Sequence, residues 1–206
     1  MQANSNRLRT FLKGTKILLT LASVLTIIFQ TSNYTDATTL ISVIWLIIIV
    51  FSWAFENYIW KFKWVNKLLK FSKNYYCPDI SGRWEGVLRR DNKDHDFVIE
   101  IKQTYTTISC CTYSHSSYSS SFASEILYDQ QNETYSFIYL WKGKTENNPD
   151  GTYGPTDYFY GTTILRINDN CTCLDGSYFT GRSPTQTKGT IKLSNRQKEL
   201  KNSFKS

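Results

Sequence analysis

The chain has 206 residues, of which 41% are hydrophobic and 16% aromatic, which excludes collagen-like and disordered classes and fits one domain with an appendage. The formal net charge is +7, and the whole excess lies in residues 1–76, which hold nine basic and two acidic side chains. Residues 77–206 hold fifteen of each. Because nucleic-acid binding requires a basic folded domain, this neutral remainder argues against a DNA or RNA binder.

Two apolar stretches occupy the first third of the chain, at 17–29 and 40–55. A helix needs about 20 apolar residues to cross a bilayer, so residues 1–60 are predicted to form a two-helix transmembrane hairpin. A cleaved signal peptide is the alternative for the first stretch, although no clear cleavage site follows it. Small and hydroxyl side chains of that stretch are candidates for packing between membrane helices: Thr20, Ala22, Ser23 and Thr26.

Basic residues flank the predicted hairpin on both outer sides, and the segment that connects its helices has none. Positive charge stays on the cytoplasmic side of a membrane, so both termini are predicted to be cytoplasmic. Residues 61–76 combine five lysines with Trp64, Val65, Leu68 and Leu69, and they are predicted to form a basic amphipathic juxtamembrane segment.

From Cys77 onward the sequence consists of short alternating runs separated by Gly, Asn, Asp and Ser, a pattern typical of β-strands. The predicted fold class is a membrane protein with two transmembrane helices followed by a small all-β, roughly eight-stranded antiparallel barrel at 77–195. Serine-rich residues 114–121 and residues 142–156 are predicted to be connecting loops, and a polar tail at 196–206 is expected to fray. The eight predicted strands are 83–90, 96–103, 106–113, 121–128, 134–141, 157–167, 173–180 and 187–194.

Glycines mark two positions in the predicted barrel. Trp84 lies between Gly82 and Gly86 on one face of a strand, and it is predicted either to plug a barrel end or to form the floor of a pocket. Gly176 lies within a strand, where a close backbone approach or a sharp bend is expected.

The sequence contains few of the motifs and residue clusters that enzymatic catalysis or metal binding requires. No nucleophile elbow, P-loop or dinucleotide fingerprint occurs, and the two histidines, His95 and His115, are predicted to be exposed surface residues. The acidic residues around Asp94 are typical of a charged hairpin turn. The five cysteines are an odd number and do not indicate a disulfide framework. We therefore expect no enzyme, no cofactor and no metal site.

Three parts of the chain together carry a family resemblance. They are the hairpin at 11–60, the run PDISGRWEG at 78–86, and the run LDGSYFTGR at 174–182 that leads to KGTI at 188–191. In this arrangement the chain resembles the two-transmembrane, β-strand-rich effectors of bacterial cyclic-oligonucleotide-based antiphage signalling (CBASS) systems.

The resemblance implies an antiphage defence effector of the bacterial inner membrane. In such systems a cyclic-nucleotide synthase senses phage, and its product, a cyclic dinucleotide, binds the cytoplasmic barrel. The resemblance further implies that binding leads to homo-oligomerisation, to disruption of the lipid bilayer and to abortive infection.

A cyclic dinucleotide requires cations for its phosphates and flat faces for its bases. Arg182 and Lys188 are the first candidates for the phosphates. Which face of the strand at 135–141 points inward stays open. The aromatic candidates for the ligand are Trp84, Tyr139, Trp141, Tyr158, Tyr160 and Tyr178.

Two other functions fit the same residues. The barrel of a membrane-tethered protein could hold a lipid or another apolar ligand, in which case paired cations would be unnecessary. Alternatively, an adaptor could recruit a protein partner through the outer surface of its barrel, without any small-molecule pocket.

Overall fold

The computed structural model describes residues 20 and 23 and the ranges 35–71, 76–115, 117–145, 158–181 and 186–204. Its described residues fall into two compact units. One unit comprises Pro78–Gln103 and Thr107–Ser206, and the other comprises Gln2–Cys77 with Thr104–Thr106.

The first unit is a closed antiparallel barrel in which each strand pairs with the next and β1 pairs with β8. The prediction of an eight-stranded antiparallel barrel is therefore confirmed. Closure gives each of the eight strands a hydrogen-bonded neighbour on both sides, so the barrel has no terminal strand of the kind that promotes edge-to-edge aggregation. The strands are β1 Gly82–Arg90, β2 Lys93–Gln103, β3 Ile108–Tyr113, β4 Ser117–Asp129, β5 Thr134–Thr145, β6 Tyr158–Ile167, β7 Leu174–Thr180 and β8 Lys188–Gln197.

Alternate side chains point into the barrel, because successive residues of a strand face opposite sides of the sheet. In β5, Phe137, Tyr139 and Trp141 are buried, and Leu140 between them is exposed. The inner face of this strand, left open by the sequence, is thus the aromatic one. The aliphatic core that it packs against includes Ile99, Ile101, Ile126, Leu165, Leu174, Ile191 and Leu193.

Trp84 closes one end of the barrel. Its indole is fully buried, and its Nε1 donates to the backbone oxygen of Ile80 at 2.9 Å. The guanidinium of Arg196 lies 5.4 Å from the ring centroid and donates to the backbone oxygens of Asp79 and Ser81. The structure therefore places Trp84 in the position of a plug, one of the two interpretations that the sequence allowed.

Gly176 lies where the backbones of β7 and β6 approach each other closely. A Cβ at this position would overlap the backbone oxygen of Ile164, so a side chain would force the two strands apart. The close backbone approach expected from the sequence is confirmed.

Two predicted loops are wrong in part, because their residues belong to strands. Ser119 and Ser120, in the serine-rich segment, lie within β4 and pair with Gly143 and Lys142 of β5. The same pairing places residues 142–145 in β5 rather than in a loop. Small hydroxyl residues are tolerated here because several of them line a polar part of the barrel interior, described below.

The polar tail does not fray within residues 201–204. Lys201 and Asn202 donate their backbone N–H groups to Glu100, and Arg83 donates to the backbone oxygens of Ser203 and Phe204. Because these bonds hold the backbone against a buried ion pair, the expectation of a loose end was wrong for this segment.

The second unit contains helix α1, Thr35–Asn57, a short 3-10 helix at Ile59–Lys61, and helix α2, Lys63–Lys70. Within this unit, Glu56 connects the helical segment to residues 104–106. Its Oε1 accepts hydrogen bonds from the hydroxyls of Thr104 and Thr106 and from the Thr106 N–H. Many apolar side chains of α1 are exposed: Val43, Leu46, Ile47, Ile49, Val50, Phe51 and Trp53.

Among the residues that the structure describes, no helix combines the length and the apolar character that crossing a bilayer requires. The first apolar stretch lies outside the described residues, apart from Thr20 and Ser23, which are helical and exposed. Ala22 and Thr26, the other two candidates for helix packing, also lie outside them.

Candidate functional site

A cavity of about 480 Å³ occupies the barrel interior at the end opposite Trp84. Side chains from all eight strands line it, and β4 contributes Ser117 and Ser119. The volume lies within the range of about 300–1,000 Å³ that small-molecule sites occupy. The barrel is therefore plugged at one end and holds a ligand-sized space at the other.

Aromatic rings form the deep wall of this cavity. Tyr139, Trp141 and Tyr178 are buried lining residues, and Phe159 meets Trp141 edge-on with ring centroids 5.5 Å apart. The indole of Trp141 lies over Gly161, where a Cβ would overlap the ring. The wall therefore depends on a glycine in the neighbouring strand.

Hydrogen bonds fix the rings of this wall. Trp141 Nε1 donates to the hydroxyl of Thr163 at 3.0 Å, and both residues are buried. Burial raises the pKa of the Tyr139 phenol well above its usual range, and a hydrogen bond with Thr163 opposes that effect only in part. Tyr139 is therefore neutral at physiological pH and keeps its hydroxyl proton.

Hydroxyl groups surround the aromatic wall in pairs. Thr112 and Ser119 share a short hydrogen bond between β3 and β4, and Thr180 and Thr187 share one of 2.7 Å between the ends of β7 and β8. All four residues line the cavity. Hydroxyls both donate and accept, so this lining can match the mixed donor and acceptor edges of a nucleobase.

The mouth of the cavity carries both signs of charge. The lining there includes Arg90, Asp94, Asp96 and the two histidines. Asp94 also forms a bidentate pair with Arg89, whose hydrogen bonds lower the pKa of the Asp94 carboxyl. That pairing offsets the charge of Asp94 and leaves the guanidinium of Arg90, 3.8 Å from the Asp91 carboxylate, at the rim.

Three of the predicted ligand residues meet in the cavity: Tyr139, Trp141 and Tyr178. Tyr158 is the first residue of β6, and Arg182 lies outside the described residues, two positions beyond the cavity residue Thr180.

The structure does not bring the other three predicted ligand residues to the cavity. Tyr160 is 55% exposed on the outer wall, because its neighbours Phe159 and Gly161 take the inward positions of β6. Lys188 is likewise exposed, in register with the outward Phe179. Trp84 is the plug at the opposite end.

The sequence analysis missed Arg90, His95 and His115. The histidines are exposed, as expected, yet both line the cavity. A signal for His95 and Arg90 was present, because both share the inward parity of Phe97 and Trp84 along their strands. Among the described residues no group of three His, Cys, Asp or Glu side chains could hold a metal ion.

A closed barrel with one plugged end and an aromatic, hydroxyl-lined cavity at the other defines a small ligand-binding β-barrel. The family model "Cap15, cyclic dinucleotide receptor domain" matches residues 75–195, more than half of the chain. The chain therefore belongs to the Cap15 cyclic dinucleotide receptor family, which confirms the resemblance to CBASS effectors.

A curated relative supports the same assignment. A protein of Escherichia albertii named CD-NTase-associated protein 15 is 24% identical to this chain over 159 residues. The similarity covers 71% of this chain and 75% of the relative.

Proposed function

We propose that the barrel is a receptor, not an enzyme, and that its cavity binds a cyclic dinucleotide made by a cyclic-nucleotide synthase. The observation that carries the proposal is the cavity itself, whose aromatic wall and hydroxyl pairs lie within the part of the chain that the family model matches. Stacking of a base on an aromatic side chain contributes about 1–3 kcal/mol, so two stacked bases would supply much of the affinity.

The ligand is expected to insert its bases between Trp141 and Tyr178, with the phosphates toward the mouth. Arg90, His95 and His115 are lining side chains there that can donate hydrogen bonds to phosphate oxygens. Arg182 is a further phosphate candidate, since it follows Thr180 in the connection whose two ends line the cavity. Guanidinium groups suit this role because they hold phosphate oxygens in a bidentate fork.

We further propose that ligand binding favours a homo-oligomer and that the oligomer disrupts the bacterial inner membrane, which causes abortive infection. The exposed apolar side chains of α1 support insertion into lipid, and the basic residues of α2 suit a cytoplasmic membrane surface. In this proposal Thr20, Ala22, Ser23 and Thr26 pack between the helices of neighbouring subunits, and both termini stay in the cytoplasm.

Thermal unfolding of the full chain in detergent, with a panel of cyclic dinucleotides, tests the receptor function. A ligand at a hundredfold excess over its Kd stabilises the native state by about 2.7 kcal/mol, so one panel member should raise the Tm clearly. Trp141→Ala should abolish that rise, and Trp53→Ala in α1 is the matched control that should retain it. If no cyclic dinucleotide raises the Tm but a lipid does, the cavity is a site for an apolar ligand.

Release of a trapped dye from vesicles of bacterial lipids tests the membrane step. The full chain should release the dye only when the stabilising cyclic dinucleotide is present, and replacement of Ala22 and Ser23 by leucine should abolish release without reducing ligand affinity. Dye release that does not depend on the cyclic dinucleotide would contradict the proposed activation.

A further inference from the structure

A segment of the C-terminal tail lies along the outer wall of the barrel, over β1 and β2. The backbone N–H groups of Lys201 and Asn202 donate to the Glu100 carboxylate at 2.8 and 3.1 Å. Arg83 donates to the backbone oxygens of Ser203 and Phe204 at 2.6 and 3.0 Å. These four bonds fix residues 201–204, which we call the C-terminal strap.

The anchor of the strap is a buried ion pair. Arg83 and Glu100 point outward from the barrel, yet they are 1% and 3% exposed, and their side chains pair at 2.9 Å. A buried ion pair is held in place by the full set of its hydrogen bonds, since each unmade bond would leave desolvated charge. The strap therefore has a fixed position relative to β1 and β2.

The strap ends on a residue of the cavity rim. The ring of Phe204 lies against the imidazole of His115, with centroids 4.9 Å apart and planes at 47°. His115 belongs to the turn between β3 and β4, which is closed by a 2.9 Å hydrogen bond from the Ser114 N–H to the Ser117 oxygen. Ser114, His115 and Ser117 all line the cavity.

We propose that the C-terminal strap positions His115 for ligand binding, with Phe204 as the positioning residue on the outer side of the imidazole. This inference rests on the proposed function, because the imidazole would contact the cyclic dinucleotide at the cavity mouth.

The physical reason is preorganisation. His115 is an exposed side chain on a tight turn, and ordering such a side chain upon binding opposes affinity. Packing against Phe204 restricts the imidazole before the ligand arrives, so less conformational entropy is lost on binding. A segment that touches no ligand thereby raises the affinity of the site.

The test compares the affinities of full-length variants for the panel member that most stabilises the wild type. Phe204→Ala should weaken binding about threefold to tenfold, the range that an aromatic pair contributes. Phe204→Tyr should retain the wild-type affinity, because it keeps the ring. Phe122→Ala removes an exposed phenylalanine that contacts Tyr160 on the outer wall, and it should leave the affinity unchanged.

A second pair of variants shows whether Phe204 acts through His115. In a His115→Ala background, Phe204→Ala should cause no further loss of affinity, since the ring that it positions is already absent. All affinities are measured at a temperature where each variant is folded, so a change in stability alone does not alter the measured affinity. A further loss in the His115→Ala background would overturn the route through His115.

The outcomes separate this inference from the proposed function. If the wild type binds a cyclic dinucleotide and Phe204→Ala binds it equally well, the strap does not position the site, and only this inference fails. If the wild type binds no member of the panel, the proposed function fails, and the role assigned to the strap falls with it.

Discussion

The indole nitrogen of Trp141 donates a hydrogen bond of 3.0 Å to the hydroxyl of Thr163 on the neighbouring strand, inside the barrel. Thr163 also bonds the phenol of Tyr139, so one buried hydroxyl serves two rings of the cavity wall. Rings that are held by such bonds already have the orientation in which a base can stack on them. We therefore expect the wall to act as a preformed surface that loses little conformational entropy when a ligand binds.

Thr163→Val should destabilise the barrel by about 1–3 kcal/mol, because it leaves the buried indole N–H without an acceptor. Thr162→Val is the matched control, since Thr162 precedes it in β6 and faces the outer wall in register with Phe179. That control should change stability by less than about 0.5 kcal/mol. Urea unfolding of the two variants measures the difference, and equal stabilities would show that the Trp141 bond contributes nothing.

Gly161→Ala should displace the Trp141 indole, since a Cβ at 161 would overlap the ring. We expect the affinity for the cyclic dinucleotide to fall at least tenfold, the effect of losing about 1.4 kcal/mol of stacking. Gly181→Ala is the control, because its Cβ would lie 3.6 Å from the nearest atom, the Tyr160 oxygen. Isothermal titration measures both affinities, and an unaltered value for Gly161→Ala would mean that the indole does not contact the ligand.

The sequence predicted the barrel well because strand alternation and turn residues are local signals. Asp91 and Asn92, both with positive φ, make the β1–β2 turn in the predicted charged hairpin. The alternation of polar and apolar residues could not show which face points inward where both faces of a strand are apolar. In β5 the outward residues Ile138 and Leu140 are as apolar as the inward rings, so the sequence could not orient the strand.

The candidate site was only half predictable for a related reason. Phe159 and Tyr160 are adjacent aromatics, and only the register of β6 against β5 shows that Phe159 faces the cavity. Ser117 and Ser119 resembled a loop because their hydroxyls face a polar cavity instead of an aliphatic core. The contact of Phe204 with His115 joins residues far apart in the chain, which no local pattern reveals.

Arg83→Met should destabilise the barrel by about 3–5 kcal/mol, since it leaves Glu100 as an unpaired charge in a buried position. Arg89→Met is the surface counterpart on the same strand, where the pair with Asp94 is largely exposed and screened by water, so it should change stability much less. Urea unfolding compares the two variants. A similar small loss for both would contradict the buried character of the Arg83 pair.

The adjacent thiols of Cys110 and Cys111 should react very differently with iodoacetamide. Burial raises the pKa of the Cys110 thiol well above its usual range, and because the thiolate is the reactive form, Cys110 should stay unmodified near pH 8.5, about the ordinary cysteine pKa. Cys111 lies on the partly exposed outer face of β3 and should be alkylated. Peptide mass spectrometry measures the alkylation of each cysteine. The reverse pattern, with Cys110 modified and Cys111 protected, would indicate a strand register shifted by one residue.

Arg90→Ala should weaken cyclic dinucleotide binding about tenfold, because it removes a charge-assisted contact to phosphate at the cavity mouth. Lys188→Ala removes the same unit of charge from the outer wall and should change the affinity less than about twofold, since water and salt screen that position. Titrations at low and high ionic strength measure both, and the salt dependence should fall only in the Arg90 variant. If Lys188→Ala weakens binding as much as Arg90→Ala, long-range charge and not contact at the mouth governs the affinity.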